Sequence, residues 1–396
     1  MWRLWHKEKV ELELVELGSI LKMVKGKKPV NHIAEPRDGY LPYVNIDAFE
    51  NGVIKQYTDD TKCTPCDDGD ILIVCDGSRS GLVGKAVKGY VGSTLAKISA
   101  SGLRSDYLFY FVQGKYALLN TQKKGTGTPH LNPELLKQQK LIVPAPYEQA
   151  RIVARIEELF SQLDAGVETL KKTKAQLAVY RQAVLKEAFA NNDASEVLAE
   201  DTVSRQRHSF SIGPFGSNLK VSDYTDSGVP LVFVRDIRNG FASNNHKFVS
   251  LEKAEQLKAH QVHQGDLLIT KMGDPPGDCC IYPFDHSAII TADCIKMEID
   301  QTVIVPLFAM YFIQSCYGKE QIKAITQGVA QKKVSLARFK KFKFMIPTLH
   351  EQRRIVFEIE SRLSVCDSIE QTVDVAMQQA DAMRQSILKD AFEGRL

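Results

Sequence analysis

The sequence lacks the segments that direct a chain into a membrane or out of the cell. Its first residues are charged and contain no apolar stretch of the kind a secretory signal needs. The longest apolar run, residues 303–313, is interrupted by Pro306 and is too short to span a bilayer. We therefore expect a cytoplasmic protein.

Cysteine is sparse for a disulfide-stabilised protein, with eight residues among 396. Cys63 and Cys66 make one CxxC pair, but no second pair follows at the short spacing that a structural zinc site uses. A long chain without a secretory leader is also a poor candidate for a disulfide framework. We expect reduced thiols in or near hydrophobic cores and no metal site.

A large net charge and the motifs of common nucleotide-using enzymes are missing as well. The formal net charge is +3, which permits nucleic-acid binding without requiring it. A phosphate-binding P-loop ends in Gly-Lys followed by Ser or Thr, whereas Gly84-Lys85 is followed by Ala86. None of the nine histidines lies in a recognisable metal or nucleophile pattern. No catalytic residue is predicted.

The tetrapeptide Asp274-Pro-Pro-Gly277 is similar to the loop with which amino-methyltransferases hold a flipped base. Those enzymes place an aromatic residue at the fourth position, where this chain has glycine. No glycine-rich strand–turn–helix for a methyl donor accompanies the loop. A turn rich in glycine and proline is the favoured interpretation.

What the chain does contain is an internal repeat of two long units. Residues 142–153 recur at 345–356, and residues 181–189 recur at 384–392 with the same offset. The segments upstream of these blocks repeat more loosely. Each half is therefore predicted to be a globular domain followed by a helical spacer. The predicted boundaries are 1–146 and 192–346 for the domains, and 147–191 and 347–396 for the spacers.

Both spacers carry a heptad pattern, and residues 149–190 and 352–393 contain no proline, which is typical of a coiled coil. Two equal helices in one chain pack most simply antiparallel, with pseudo-twofold symmetry. An amphipathic helix lying on a globular core is the alternative. The predicted a positions of the seam are Ile156, Leu163, Leu170, Leu177 and Val184 in the first helix, and Ile359, Cys366, Val373, Ala380 and Ile387 in the second. The predicted d positions include Ile152, Leu159, Gly166, Thr173, Tyr180, Ile355, Ile369, Ala376 and Met383.

The globular domains are predicted to be mixed α/β. Apolar runs indicate strands at residues 43–46, 70–74, 231–234 and 266–270. A helix is predicted at residues 106–119, with a counterpart at 307–325. The predicted fold class is therefore α/β, with two mixed α+β domains in tandem, each followed by a long helix.

Polar loops occur at equivalent places in the two halves. Residues 76–85 and 271–274 each follow a strand, and residues 123–130 and 327–333 each follow a helix. Cations suit phosphates, whereas amide, guanidinium and hydroxyl groups suit base edges. One such loop alone is more often a solvated turn, but the recurrence favours DNA binding. The candidate DNA-binding residues are Arg79, Ser80, Lys85, Lys123, Lys124, Thr126, Thr128, His130, Arg235, Arg238, Lys271, Asp274, Gln331, Lys332 and Lys333.

Three sets of motifs together point to one known family. They are the turn Gly213-Pro-Phe-Gly-Ser-Asn218, the Pro…Glu-Gln-x-Arg-Ile-Val blocks at 144–153 and 347–356, and the Leu-Lys-x-Ala-Phe helix ends at 185–189 and 388–392. With them the chain resembles the specificity subunits of type I restriction–modification enzymes over essentially its whole length. The first domain departs from the pattern, because its opening, residues 18–27, lacks the Gly-Pro-Phe-Gly turn.

The resemblance implies two target recognition domains joined by two helices in an antiparallel coiled coil. It implies a non-catalytic subunit that binds a bipartite double-stranded DNA target and directs adenine methylation and restriction. The partners would be two methyltransferase subunits and the restriction subunits, which would bind S-adenosylmethionine, ATP and magnesium in place of this chain. Two other classes stay open: a DNA adenine methyltransferase that uses the Asp274 loop, and a coiled-coil scaffold that ignores DNA.

Overall fold

The structure, a computed structural model, describes residues 14–124, 129–190, 193–242, 247–328 and 332–396. The chain folds as two compact units. The first takes in the chain up to Lys171 together with Asp374–Leu396, and the second is Lys172–Val373. Both boundaries fall inside long helices, so each unit holds one globular domain and a part of each long helix.

Short strands build the globular domain of the first unit. They are β1 (Leu14–Glu16), β2 (Leu21–Lys25), β3 (Leu41–Val44), β4 (Tyr57–Thr58), β5 (Pro65–Cys66), β6 (Ile71–Val74), β7 (Val83–Lys85), β8 (Gly89–Val91), β9 (Leu95–Ala100) and β10 (Lys140–Ile142). One four-stranded sheet has the order β2-β9-β6-β7, and a second has the order β4-β3-β8-β5. Strand β1 pairs with β10 and closes the domain beside its long helix.

The helices of this unit include the first long helix. They are α1 (Ile46–Asn51), α2 (Ser105–Gln113), α3 (Tyr116–Thr121), α4 (Pro133–Lys137) and α5 (Pro146–Ala188), which continues into the second unit. A single 3-10 turn lies at Leu17–Ser19.

The second globular domain is built in the same way. Its strands are β11 (Ser195–Leu198), β12 (Phe210–Ile212), β13 (Tyr224–Thr225), β14 (Val229–Val232), β15 (Phe248–Val249), β16 (Gln261–Val262), β17 (Leu267–Thr270), β18 (Cys279–Ile281), β19 (Ala288–Ile290), β20 (Cys294–Met297) and β21 (Lys343–Ile346). The sheets have the orders β12-β20-β17-β18 and β13-β15-β14-β19-β16, and β11 pairs with β21. These sheets correspond to the two four-stranded sheets and the β1–β10 pair of the first domain.

The helices of the second unit end in the second long helix. They are α6 (Val234–Arg238), α7 (Leu251–Gln256), α8 (Pro306–Gln314), α9 (Cys316–Ile325), α10 (Leu336–Phe339) and α11 (Leu349–Phe392), whose last part belongs to the first unit. Single 3-10 turns lie at Ala199–Asp201, Gly216–Asn218, Val221–Asp223 and Lys258–His260. Of the described helices, none is both long enough and apolar enough to cross a membrane.

The central strand of each domain is buried on both faces. All four residues of β6 and of β17 are buried, and β-branched side chains suit such a strand. Alternate side chains enter two different cores: Ile71 and Ile73 face one cluster, whereas Leu72 faces the other. The predicted mixed α/β class is confirmed, because each domain packs helices and sheets around these clusters.

Two details of the predicted elements are wrong. The predicted helices at 106–119 and 307–325 are each two helices, because the chain turns between α2 and α3 and between α8 and α9. In the second domain Ser315 ends α8 and accepts a hydrogen bond from the Gly318 N–H, which starts α9. The strands predicted at 43–46 and 231–234 stop earlier, because a helix follows each of them. Asn45 caps α1 by accepting the Ala48 N–H at 3.1 Å, and α6 begins at Val234.

The two long helices run antiparallel where they contact each other. In the second unit Arg181 of α5 binds Asp367 and Glu370 of α11 at 2.6 and 3.0 Å. Later in α5, Glu187 binds Arg362, an earlier residue of α11, at 2.9 Å. In the first unit Arg384 of α11 pairs with Asp164 and lies over the ring of Phe160. These exposed ion pairs set the alignment of the helices more than they stabilise it.

Some of the predicted a positions are buried between the two long helices, and others are buried against a globular core. Cys366, Val373 and Ala380 are buried in the middle of α11, as a seam requires. Ile156 and Ile359 instead enter the globular cores near the start of each helix, so the alternative of a helix lying on a core applies there. Val184 is buried in the globular core of the second unit, and the remaining a residues, Leu163, Leu170, Leu177 and Ile387, are half-buried.

The predicted d positions do not form a continuous buried layer. Tyr180, Ile369 and Met383 are exposed, the last with 54% of its surface accessible. Arg362 lies over the Tyr180 ring at 5.4 Å, so a charged side chain covers a position that the heptad assigns to the seam. The helix pair therefore has a narrow contact and leaves apolar side chains on its surface.

A buried glutamine joins each long helix to its globular domain. Gln149 accepts the Arg104 N–H at 2.8 Å and donates to the carbonyls of Gly102 and Pro144, also at 2.8 Å. Gln352 makes the same three bonds, accepting the Val305 N–H and donating to the carbonyls of Val303 and Pro347. Both side chains are fully buried. The repeated Glu-Gln-x-Arg motif thus has a structural role at the helix start.

Replacing Gln352 by leucine should destabilise the second unit by about 3 kcal/mol, because it leaves one N–H and two carbonyls buried without partners. Urea unfolding measures this change. The matched control is Gln371→Leu on the exposed surface of the same helix, which should change stability by less than about 0.5 kcal/mol. Equal effects of the two substitutions would contradict the role assigned to Gln352.

Candidate nucleic-acid interface

The two polar loops of the first domain lie against each other. Lys123 donates from Nζ to the Ser78 carbonyl at 2.8 Å, and the Gly77 N–H donates to the Pro129 carbonyl at 2.8 Å. The backbones of Lys124 and His130 pair with each other at 2.9 and 2.8 Å. The loop after β6 and the segment after α3 therefore form one surface. The candidates Thr126 and Thr128 lie outside the described residues.

The carboxylate of Asp76 contacts two basic side chains of this surface. The Asp76 carboxylate lies 2.7 Å from Nδ1 of His130 and 3.0 Å from Nζ of Lys25. Partial burial acts to raise the pKa of Asp76, but the bonds to His130 and Lys25 outweigh it and hold the pKa below its usual value. The ionised carboxylate thus fixes two cationic or potentially cationic side chains at the loop surface.

Three other candidates of the first domain have different surroundings. Ser80 is fully buried, and its hydroxyl donates to the Gly77 carbonyl at 2.7 Å, so it shapes the loop and is removed from the interface. Arg79 is half-exposed and forms an ion pair with Glu50. Lys85 pairs across the hairpin with Ile71, at the end away from the loop, and lies over the Phe109 ring at 5.4 Å. Lys85 is therefore separated from the joined loops.

The second domain joins its two loops in the same way. Lys332 binds the Asp274 carboxylate at 2.7 Å, and the Val334 N–H donates to the Lys271 carbonyl at 3.0 Å. The backbones of Gln327 and Lys333 pair with each other at 2.9 Å in both directions. Lys332 and Lys333 are exposed. Gln331 lies outside the described residues.

The remaining cationic candidates of the second domain each contact a ring or a protein acceptor. Lys271 lies over the ring of Phe215 at 4.8 Å and donates to the Ala292 carbonyl at 3.2 Å. Arg238 binds the Asp278 carboxylate at 2.6 Å, at the end of the loop that contains Asp274. The guanidinium of Arg235 lies over the Phe233 ring at 4.9 Å.

The loop pairs of the two domains occupy equivalent positions. Lys124 pairs with His130 in the first domain, and Gln327 pairs with Lys333 in the second, at the same offset as the helix motifs. The partner across the other loop is Asp76 in one case and Met272 in the other. Backbone bonds thus hold the same loop geometry while the side chains differ.

The cysteines and the proline-rich loop carry no sign of catalysis. Cys63 and Cys66 are buried, and burial raises the pKa of Cys66 to about 11. Within the described ranges, no three His, Cys, Asp or Glu side chains are placed to hold a metal ion. Gly277 has a φ of +101°, and the side chain of Ile322 fills the space a Cβ would need. The aromatic residue of a methyltransferase loop therefore does not fit at this position in this conformation.

Sequence reasoning missed two residues, one at the end of β2 and one in the turn after β12. Lys25, at the end of β2, binds Asp76, and Phe215, in the turn after β12, contacts Lys271. Neither is a candidate from the sequence, because the turns differ in sequence and the strands that bring them to the loops are distant in the chain. The signal that could have found them is the glycine that follows each strand, Gly26 and Gly213.

The fold defines the class: two tandem mixed α/β domains, each carried on long helices and each presenting a pair of joined polar loops. Residues 9–178 and 220–374 match the family described as the type I restriction modification DNA specificity domain. The chain belongs to this family. Its relatives are named specificity subunits of type I restriction enzymes, which are the non-catalytic, DNA-recognition subunits.

Curated relatives agree with this assignment. The chain is 24% identical to the type I restriction enzyme MjaVIII specificity subunit of Methanocaldococcus jannaschii, over 97% of this chain and 92% of that one. It is 24% identical to the EcoBI specificity subunit of Escherichia coli, over 83% and 73%.

Two solved structures share the fold. A chain from a study of complex assembly and conformational transition of the type I R-M system has a TM-score of 0.74 at 17% identity, with 97% of this chain and 98% of that one covered. The HsdS subunit from Thermoanaerobacter tengcongensis has a TM-score of 0.52 at 18% identity, with 97% of both chains covered.

Proposed function

We propose that each globular domain reads one half of a bipartite double-stranded DNA target, and that the chain brings methyltransferase and restriction subunits to that target for adenine methylation and cleavage. The observation that carries the proposal is the pair of joined loops, present at equivalent positions in both domains with different side chains. The proposed site of action is the cytoplasm.

Charge and exposure suggest which loop side chains bind phosphates and which read bases. Lys124, Lys332 and Lys333 are exposed on the joined loops and suit phosphate oxygens. Lys123 and Arg238 are held by protein acceptors, as Lys332 is by Asp274, and all three can exchange these acceptors for DNA groups. Arg79, Thr126, Thr128, His130 and Gln331 are the proposed base-reading side chains, and Arg235, Lys271 and Asp274 are proposed as further DNA contacts of the second domain.

Removing the loop lysines should weaken the salt dependence of DNA binding. In the complex assembled with its partner subunits, Lys332→Ala/Lys333→Ala should lower the slope of log K against log salt by about 0.9 for each phosphate that is no longer bound by a lysine. Lys123→Ala/Lys124→Ala tests the first domain. The control is Lys258→Ala, a largely exposed lysine elsewhere in the second domain, which should leave the slope unchanged. A slope equal to wild type in both double variants would mean that the loops do not face DNA.

Replacing one globular domain should change one half of the target. The chain with residues 193–346 exchanged for the corresponding domain of a relative should methylate a sequence with one new half and one original half. Genome-wide mapping of methylated adenines measures both halves at once. The proposal of independent reading fails if both halves change together, or if the original target persists.

The long helices offer apolar surface for the methyltransferase subunits. In the first unit a groove of about 450 Å³ lies between α5 and α11, lined by Leu163, Gly166, Ala380 and Met383 among others. In the second unit Ile369 is exposed on α11, with 41% of its surface accessible. An amphipathic helix of a partner would cover such side chains. One docking surface for each unit fits two methyltransferase subunits.

Charging these surfaces should remove partners one at a time. Met383→Glu should remove one methyltransferase subunit, Ile369→Glu the other, and the double variant both, because a buried carboxylate at an apolar contact is costly. Native mass spectrometry counts the subunits. Val221→Glu, at an exposed apolar residue of the second globular domain, is the control and should retain both. Full assembly of the double variant would place the docking surface elsewhere.

A further inference from the structure

The turns after β2 and β12 occupy the same place in the two domains. The Gly26 N–H donates to the Leu95 carbonyl at 2.9 Å, and the Gly213 N–H donates to the Cys294 carbonyl at 3.2 Å. Leu95 and Cys294 are the first residues of β9 and β20, which hold equivalent positions in their sheets. The two turns can therefore be compared residue by residue, although their sequences differ.

The two residues that follow these glycines differ in charge between the domains. In the first domain they are Lys27 and Lys28, whereas the second domain has Pro214 and Phe215. Both lysines are exposed. The second turn carries the Gly-Pro-Phe-Gly motif of the family, from which the first domain departs, so the two lysines are not part of the shared motif.

Hydrogen bonds fix the backbone on both sides of the two lysines. The Lys27 carbonyl accepts a bond from the Cys63 thiol at 3.6 Å, and the Val30 N–H donates to the Asp60 carboxylate at 3.0 Å. Pro29, which lies between these bonds, is buried. Because the main chain is already held in place, binding of an anion to the exposed lysines would cost little ordering of the turn.

The turn lies beside the joined loops of the first domain. Lys25, which precedes it, binds the Asp76 carboxylate at 3.0 Å. The Thr94 carbonyl accepts the Asp76 N–H at 3.3 Å, and the next carbonyl in the chain, that of Leu95, accepts the Gly26 N–H at 2.9 Å. Two consecutive carbonyls therefore hold the start of the loop and the turn next to each other.

The positive charges of this turn are not neutralised by the part of the chain that the structure describes. Arg79, on the neighbouring loop, forms an ion pair with Glu50. Among the described residues, by contrast, no carboxylate forms an ion pair with Lys27 or Lys28. Two adjacent like charges on a fixed turn create a local positive potential, which attracts an anion from outside the chain.

We propose that Lys27 and Lys28 bind backbone phosphates of the half-site that the first domain reads, and that these contacts position the domain on the duplex without reading its sequence. Lysine suits phosphate oxygens, and such contacts fix the register of a protein on DNA while carrying no sequence information. The second domain has no cation at the two corresponding positions, so the contact belongs to one half-site. The inference rests on the proposed DNA-reading function.

The double variant Lys27→Ala/Lys28→Ala should lower the salt dependence of DNA binding. In the complex with its partner subunits, the slope of log K against log salt should fall by about 0.9 for each lost contact and by about 1.8 in all. Affinity for the mapped target and for unrelated DNA should fall by the same factor, because phosphate contacts are independent of sequence. Lys27→Arg/Lys28→Arg keeps both charges and should retain the wild-type slope.

Neutral backbone substitutions locate the contacts on the DNA. Each phosphate of the mapped target is replaced singly by a methylphosphonate, which has no negative charge. The alanine double variant should lose the sensitivity that wild type shows at one or two phosphates, all of them in the half-site of the first domain. That half-site is the one expected to stay unchanged when residues 193–346 are exchanged.

The matched control is Lys88→Ala/Lys140→Ala, which removes the same charge from the same domain. Both lysines are exposed, and neither forms an ion pair with a described residue. Lys88 follows β7 at the end that pairs with Ile71, away from the joined loops, and Lys140 lies in β10. The control should keep the wild-type slope and the wild-type pattern of methylphosphonate sensitivity.

Four outcomes would overturn the inference while leaving the proposed function intact. They are a slope that falls no further than in the control, lost sensitivity in the other half-site, a changed methylated sequence, and loss of a methyltransferase subunit in native mass spectrometry. The last would identify an acidic partner surface as the ligand of the two lysines. If the wild-type complex does not prefer the mapped target over unrelated DNA, the proposed function itself fails.

Discussion

The buried glutamine at the start of each long helix is the contact on which the rest of each unit depends. Gln149 and Gln352 each satisfy three backbone groups that would otherwise be buried without partners. A buried amide with all of these bonds made tolerates only one orientation of the helix against its domain. The loops at the end of β6 and β17 are therefore presented in a fixed direction relative to the helix that carries the domain.

In both domains backbone hydrogen bonds hold the loops together, whereas the side chains around these bonds differ. The loop pairs are joined by backbone bonds, Lys124 with His130 and Gln327 with Lys333, which do not depend on side-chain identity. The side chains around them are free to differ, as Asp76 differs from Met272. Such a division suits a family whose members share a fold, because a new target then needs new side chains and no new framework.

Several site residues acquired their roles only from long-range contacts. Ser80 is in a loop of polar residues and is a reasonable DNA-binding candidate from the sequence, yet it is buried because the Pro129 segment folds over it. Phe215 and Lys271 are distant in sequence and meet because β12 and β17 both pair with β20. The heptad pattern predicted buried a and d positions, but exposure at the d residue Met383 depends on which side chains the other helix brings opposite to it.

The sequence by itself determined the two-unit repeat, the mixed α/β class, the long helices and the family. Each of these depends on local periodicity or on motifs that recur at one offset, such as the Glu-Gln-x-Arg blocks. Only the tertiary structure decided which polar residues lie on one surface, which are buried, and what the motif glutamines bond. Those properties depend on contacts between segments far apart in the chain, and neither composition nor periodicity carries information on such contacts.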